Sequence, residues 1–191
     1  QPGRKVSVVR LRGIAVAVTI YEDICDRDGP SGDQPMAEAE VVVNITASPF
    51  KIGKSRSREQ MLSACARDQD VIVTDTNMVG GQDELIFDGN SVILDRNGEV
   101  MARAKAFEED LLVADLHMTG SAQSRQRHGR RKGFAKNAAS SFDHVMVEIA
   151  ESVGTRARVT PHVEPLLGEL EEVYKGLVLG VKDYVGKNGF K

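Results

Sequence analysis

Two short segments without a polar face constrain most strongly what this chain can fold into. In residues 14–20 (IAVAVTI), larger apolar residues alternate with alanine and threonine, and residues 40–45 contain three consecutive valines. A strand that lacks a polar face is usually buried on both sides. Residues 57–69 supply a helix to cover them, since Ser57 and Gln60 have the spacing of a capping box before an apolar helical face. The sequence therefore predicts an α/β fold from residue 6 to residue 116.

An Asn-Gly pair predicts a tight hairpin in the same region. Asn97 and Gly98 separate two apolar runs, residues 92–94 and 100–102. Asn-Gly between apolar runs favours a tight turn that connects two antiparallel strands, because both residues tolerate positive φ angles. We therefore expect the two runs to pair as antiparallel strands.

Composition narrows the class of protein. The 191 residues are 41% hydrophobic and 28% charged, which suits one packed domain with extra elements. The net charge of −3 implies no overall attraction for nucleic acid or an anionic membrane. Cys25 and Cys65 have no C-x-x-C spacing, which argues against a disulfide framework and a structural zinc site and fits a reducing cytoplasm. Cys65, on the apolar helix face, is predicted to be a core residue.

The second half of the chain begins with a polar, basic segment and ends with a helical pattern. Residues 118–164 are poor in apolar residues and contain a basic cluster, which indicates a linker. Nucleic-acid binding is the weaker interpretation of that cluster, because Phe134 is its one aromatic side chain. After Pro165, apolar residues recur at helical spacing until Asn188 and Gly189, so we expect a helix there. The chain lacks an initiator Met and is expected to be an internal piece of a longer protein.

Three motifs carry a family resemblance: GIAVAVTIYED (residues 13–23), NITASPF (44–50) and NMVGGQDELIFDG (77–89). Together they resemble the glutaminase domain of glutamine-dependent NAD synthetases, which belongs to the nitrilase, or carbon-nitrogen hydrolase, superfamily. The resemblance implies a partial α-β-β-α sandwich. It divides the chain into the C-terminal half of the glutaminase domain (1–117), an interdomain linker (118–164), and the first helix and strand lead-in of the synthetase domain (165–191).

The resemblance also implies site residues. The family has a nucleophilic cysteine where Tyr21 stands, and the base and lysine of its triad lie upstream of that position. Glu22 is expected to support the oxyanion region, while Ser48 and Lys54 match positions that hold the amino-acid end of glutamine. An ammonium suits a ligand carboxylate. The alternatives are that Ser48 caps a turn and that Lys54 is a solvated residue at the helix entry.

Tyr21 raises the question of whether this chain can hydrolyse glutamine. A phenol is a weaker nucleophile at neutral pH than a thiol, so this copy is expected to have lost glutaminase activity. A single-base change between Cys and Tyr codons would give the same sequence by error. Cys25, four residues later, is an alternative nucleophile, although a displaced group would have to meet the same base and oxyanion donors.

Three functions follow from the resemblance. The first is the glutaminase part of an NAD synthetase, which supplies ammonia for ATP-dependent amidation of nicotinic acid adenine dinucleotide. The second is a noncatalytic scaffold, and the third is a stand-alone amidase. No cofactor is expected within this chain, since ATP and Mg²⁺ belong to the synthetase domain. The family also implies a homo-oligomer, with the loop at residues 80–89 facing subunit interfaces and the ammonia path.

Overall fold

A computed structural model describes residues 8–24, 39–118 and 158–190, and the backbone of residues 144–147. Within these ranges the strands are β1 (Val8–Leu11), β2 (Ile14–Ile20), β3 (Val41–Thr46), β4 (Ile72–Asn77), β5 (Val79–Gln82), β6 (Leu85–Asp88), β7 (Val92–Leu94), β8 (Val100–Arg103) and β9 (His144–Val147). The helices are α1 (Lys54–Gln69) and α2 (Glu169–Lys187), and a 3-10 turn over Tyr21–Ile24 follows β2.

The strands form one mixed sheet and a separate hairpin. The sheet order is β8-β7-β4-β3-β2-β1-β9, while β5 and β6 pair with each other. The three central strands, β2, β3 and β4, run parallel, and β1, β7 and β8 join them with antiparallel pairings. The predicted α/β fold with a mixed sheet is confirmed. Because the central strands are parallel, their carboxyl ends meet at one edge, where the candidate site lies.

The two faces of the sheet differ in their covering. On one face, Leu62 and Ala66 of α1 pack with Ala17, Val42 and Val73 in a core whose members are almost completely inaccessible to solvent. On the other face the apolar residues continue to the strand ends, where Ile20 and Ile45 are 66% and 53% exposed. Val16, Val41 and Ile72 are nevertheless buried there. The predicted burial of these strands on both sides therefore holds at Val16, Val41 and Ile72 but not at the strand ends, where the second face is open among the described residues.

Helix α1 begins earlier than the sequence predicts. Its N-cap is Gly53, whose φ of 74° lies in the left-handed region and which has no side chain of its own to cap the helix. Ser57 is already inside the first turn, and its hydroxyl donates to the carbonyl of Lys54 at 2.9 Å. The predicted capping box at Ser57 and Gln60 is therefore wrong, because glycine at residue 53 allows the chain to turn into the helix one turn sooner.

The hairpin at Asn97 and Gly98 is confirmed. β7 and β8 pair antiparallel, and the Asp95 carboxylate accepts hydrogen bonds from the backbone N–H groups of Asn97 and Glu99, both at 2.8 Å. Gly98 has a φ of 75°, and a Cβ there would lie 2.5 Å from the carbonyl oxygen of Ser63 on α1. Glycine is thus required both for the backbone conformation and for the close approach of the helix.

The predicted C-terminal helix exists as α2, but its apolar stripe is not the face that packs. Leu170, Tyr174, Leu177, Val181 and Tyr184 are all exposed. The helix instead approaches Phe50 through Gly176 and the β5–β6 hairpin through Gly180, where added Cβ atoms would lie 3.3 Å from Phe50 and 3.0 Å from Ile86. The absence of side chains at these two glycines allows the close contact of the helix with both.

Candidate active site

One pocket of about 270 Å³ opens at the carboxyl ends of the central strands. The four site residues predicted from the sequence all line it: Tyr21, Glu22, Ser48 and Lys54. The remaining lining residues are Asn44, Thr46, Ser57, Arg58, Met61, Leu62 and Asp75. Residues that lie up to 33 positions apart in the predicted set are therefore brought together by the fold.

Tyr21 occupies a sharp turn at the end of β2. Its φ is 57°, in the left-handed region that a bulky L-residue rarely adopts, and its side chain is 38% exposed. Glu22 and Asp23 continue the same 3-10 turn. Strained backbone of this kind persists where the surrounding structure imposes it, and it occurs often at functional positions. The turn thus presents Tyr21 at the pocket instead of extending β2.

Ser48 and Lys54 lie on the segment between β3 and α1. Ser48 is buried, and its backbone N–H donates to Oδ1 of Asn77 at 2.9 Å. Pro49 bridges to Phe87 of β6, which ties this segment to the hairpin. Nζ of Lys54 donates to the carbonyl of Pro49 at 3.1 Å, so the ammonium lies over the segment that carries Ser48. A hydroxyl residue and a cationic residue thus both line the pocket.

Below the pocket, a ladder of polar side chains crosses three strands. Thr19, Asn44 and Asp75 are register partners on β2, β3 and β4. The Thr19 hydroxyl donates to Oδ1 of Asn44 at 2.9 Å, and Nδ2 of Asn44 donates to Oδ1 of Asp75 at 2.7 Å. All three residues are buried. This ladder was not predicted from the sequence, although Thr19 and Asn44 are visible there as polar residues within apolar runs.

Arg58 connects the ladder to α1. Its Nε lies 3.7 Å from Oδ2 of Asp75, its guanidinium contacts Oδ1 of Asp88 at 3.3 Å, and it donates to the carbonyl of Gly89 at 2.9 Å. Burial raises the pKa of the Asp75 carboxyl, while the hydrogen bond from Asn44 and the charge of Arg58 oppose that rise. Oδ2 of Asp75 accepts no hydrogen bond within the described part of the chain.

Asp88 is the most heavily bonded carboxylate near the site. It accepts hydrogen bonds from Ser55 at 2.6 Å, from Asn77 at 2.9 Å and from Asn90 at 3.1 Å. Ser55 is on α1, Asn77 ends β4, and Asn90 follows β6. Asp88 therefore fixes the helix start and two strand ends around the pocket.

The structure tests the prediction for Cys65 but not the prediction for Cys25. Cys65 was predicted to be a core residue, but it is half-buried and disulfide-bonded, which the argument against a disulfide framework did not anticipate. The absence of a C-x-x-C spacing bears on frameworks and metal sites, but not on a single bond between distant cysteines. Cys25, the alternative nucleophile, lies outside the described residues. So do residues 119–143 and 148–157, most of the predicted linker.

Among residues 8–24, 39–118 and 158–190, no cluster of three or more His, Cys, Asp or Glu side chains could hold a metal ion. Neither helix in those ranges combines the length and apolarity needed to cross a membrane.

Part of the chain matches a known protein family. Residues 34–126 match the family described as Carbon-nitrogen hydrolase. The matched range includes Ser48 and Lys54 and begins after Tyr21. An amidase of the nitrilase superfamily from Nesterenkonia AN1 matches 72% of this chain and 48% of its own, with a TM-score of 0.51 and 26% identity.

Over its whole length, the chain is related to glutamine-dependent NAD(+) synthetases. It is 36% identical to that of Thermotoga maritima and 35% identical to that of Aquifex aeolicus, over 100% and 99% of this chain. The structure of the glutamine-dependent NAD+ synthetase from Acinetobacter baumannii in complex with ADP matches 100% of this chain and 29% of its own, with a TM-score of 0.69 and 29% identity. The chain spans 33% of the length of both curated relatives.

Proposed function

We propose that this chain is the glutamine-binding part of a glutamine-dependent NAD(+) synthetase. In that enzyme it would supply ammonia for ATP-dependent amidation of nicotinic acid adenine dinucleotide. The observation that carries the proposal is the convergence of Tyr21, Glu22, Ser48 and Lys54 on one pocket. The relatives that match almost the whole chain, α2 included, bear the synthetase name. This agreement favours a synthetase over a stand-alone amidase.

The pocket has the chemistry to hold glutamine. Lys54 supplies a cation for the ligand carboxylate, and Ser48 supplies a hydroxyl beside it. Met61 and Leu62 offer apolar surface for the methylene groups. Glu22, which follows Tyr21 in the turn, supports the region where the amide would lie. We assign these roles by position in the pocket and by the family motif.

The domain division is part of the same proposal. Residues 1–117 would form the C-terminal half of the glutaminase domain, 118–164 the linker and 165–191 the start of the synthetase domain. ATP and Mg²⁺ would then bind in the part of the synthetase that this chain does not span. A cytoplasmic location and assembly into a homo-oligomer remain predictions.

Tyr21 favours a second candidate, a pseudo-glutaminase that binds glutamine without hydrolysing it. Hydrolysis through a thioester needs an activated thiol, a base and oxyanion donors. A phenol at the end of β2 offers a poor nucleophile in place of the thiol. This second function keeps the pocket and its ligand but gives the domain a role in assembly.

Glutamine binding tests the shared part of both functions. We expect glutamine to shift the backbone amide NMR signals of Ser48 and of residues 53–58 in the 191-residue chain. Lys54→Ala should weaken the affinity about tenfold or more, because it removes a charge-assisted hydrogen bond. Lys51→Ala, which removes an exposed lysine of the same segment, is the matched control. Absence of saturable glutamine shifts in the wild-type chain would refute the proposal.

A further inference from the structure

One face of α2 contacts the elements that surround the pocket. Its members recur every three or four residues, which places them on the same side of the helix. They are Glu172, Gly176, Gly180, Asp183 and Lys187. The carboxylate of Asp183 accepts from the backbone N–H of Gly81 at 2.7 Å, and Lys187 donates to the carbonyl of the same glycine. This face therefore binds the hairpin through polar contacts.

The contact nearest the pocket is made by Glu172. Its side chain is buried, and Oε2 accepts a hydrogen bond of 2.9 Å from the backbone N–H of Gly53, 119 residues earlier. Gly53 is the N-cap of α1 and is followed directly by Lys54. The carboxylate thus replaces the side-chain cap that α1 lacks in the described ranges. A negative charge at a helix N-terminus is also favoured by the helix dipole.

A second contact fixes the other end of the same segment. Gly176 lies one turn after Glu172, against the rings of Phe50 and Phe107, which pack edge to face with centroids 5.1 Å apart. Phe50 is two residues from Ser48, and its N–H donates to the carbonyl of Ile86 at 2.7 Å. Helix α2 therefore touches residues 50–53 at both ends, between the two predicted ligand-binding residues.

We propose that Glu172 is a positioning residue for the pocket, which links the docking of α2 to ligand affinity. The inference rests on the proposed function, since it takes Lys54 as the group that binds the ligand carboxylate. Gly53 has a left-handed φ. Glycine adopts negative φ angles about as easily, so the residue does not hold this conformation by itself. The bond to Glu172 holds it there and so fixes the direction in which Lys54 leaves the turn. By reciprocity, a bound ligand stabilises the docked position of α2.

Three substitutions in the 191-residue chain test this role. Glu172→Ala removes the acceptor, and Glu172→Gln keeps an acceptor oxygen of the same reach. Glu171→Ala is the control, because its carboxylate is exposed and, within the described residues, pairs with Lys175 of the same helix. The measurements are amide hydrogen exchange at Gly53 and the dissociation constant for glutamine from NMR titration.

Glu172→Ala is expected to speed exchange at Gly53 about tenfold or more. It should also weaken glutamine binding about two- to tenfold, as expected when a ligand must order a side chain itself. Glu172→Gln should keep both the exchange rate at Gly53 and the glutamine affinity close to their wild-type values. Glu171→Ala should change neither quantity.

Three results would overturn the role of Glu172. They are unchanged exchange at Gly53 in Glu172→Ala, faster exchange without a change in affinity, and an equal rise in exchange across β3 and β4, which would indicate general loss of structure. A wild-type chain that binds no glutamine would refute the proposed function instead. The exchange rate at Gly53 would still decide whether Glu172 holds the turn.

Discussion

Nε of Arg58 lies 3.7 Å from Oδ2 of Asp75, and the two side chains are 8% and 1% exposed. The separation permits electrostatic attraction but is too long for a hydrogen bond. Oδ1 of the same carboxylate is bonded to Asn44, so the two oxygens of Asp75 have unequal environments. The floor of the pocket thus contains a buried carboxylate that is only partly compensated.

This environment predicts a specific pH dependence of stability. The folded-state pKa of Asp75 is raised above its unfolded value of 3.8, chiefly by burial. Its stabilising contribution is therefore fully present below pH 3.8 and is lost as pH rises through the folded pKa. Asp75→Asn removes this term, so the free energy of unfolding of the wild type should fall relative to the variant as pH rises from 3.8. Urea denaturation at a series of pH values measures the difference.

Glu108→Gln is the control for that series, because it neutralises a largely exposed carboxylate paired with Lys105. It should show no comparable trend. A wild-type stability that rises relative to Asp75→Asn over the same interval would contradict the assignment of burial as the dominant influence.

The hairpin between β7 and β8 offers a test of packing. Gly98→Ala should destabilise the fold by more than about 1 kcal/mol, since alanine tolerates the positive φ poorly and its Cβ would collide with Ser63. Gly186→Ala has open space around it on α2, and replacing a helical glycine should stabilise by about 0.5–1 kcal/mol. Chemical denaturation of both variants makes the comparison, and equal stabilities would show that the close approach to Ser63 is not retained in solution.

The open face of the sheet predicts self-association of the isolated chain. Ile20 and Ile45 are exposed side by side at the strand ends, next to half-buried Val43 and Ile93. Apolar surface of this kind favours contact between copies. Light scattering should detect concentration-dependent oligomers or aggregates, and Ile45→Lys should reduce them. Ile52→Lys, at an exposed isoleucine before α1, should not. A monodisperse monomer with a cooperative melt would contradict this prediction.

Tyr21 predicts a defined catalytic defect. The 191-residue chain should release no ammonia from glutamine, and Tyr21→Cys alone should not restore release, because the predicted base and lysine of the triad are absent. Each missing acid-base function removes about 10²- to 10⁴-fold in rate. In a longer protein that includes the upstream half, Tyr21→Cys should restore turnover. An ammonia assay on that pair decides the matter, and turnover by the Tyr21 form would contradict the predicted loss of glutaminase activity.

Motifs and local pattern singled out four of the residues that line the pocket. Tyr21 and Ser48 were found because each follows a recognisable strand in a family motif, and the structure brings both to one pocket. Arg58 was missed because nothing near it in sequence shows that it would be buried. Its partners, Asp75 and Asp88, lie on β4 and β6 and reach it only after the sheet, hairpin and helix have assembled.

Local sequence pattern predicted β2, β3, the hairpin of β7 and β8 and the two helices, because the spacing of apolar residues and glycine at turns favour particular backbone conformations. The face of α2 that packs and the group that caps α1 follow instead from tertiary contacts. The apolar stripe that identifies α2 is exposed, while Glu172 and Gly176 contact the pocket segment. Local spacing shows that a helix has two faces. Which face is buried depends on the shape and hydrogen-bonding groups of a surface more than a hundred residues away in sequence.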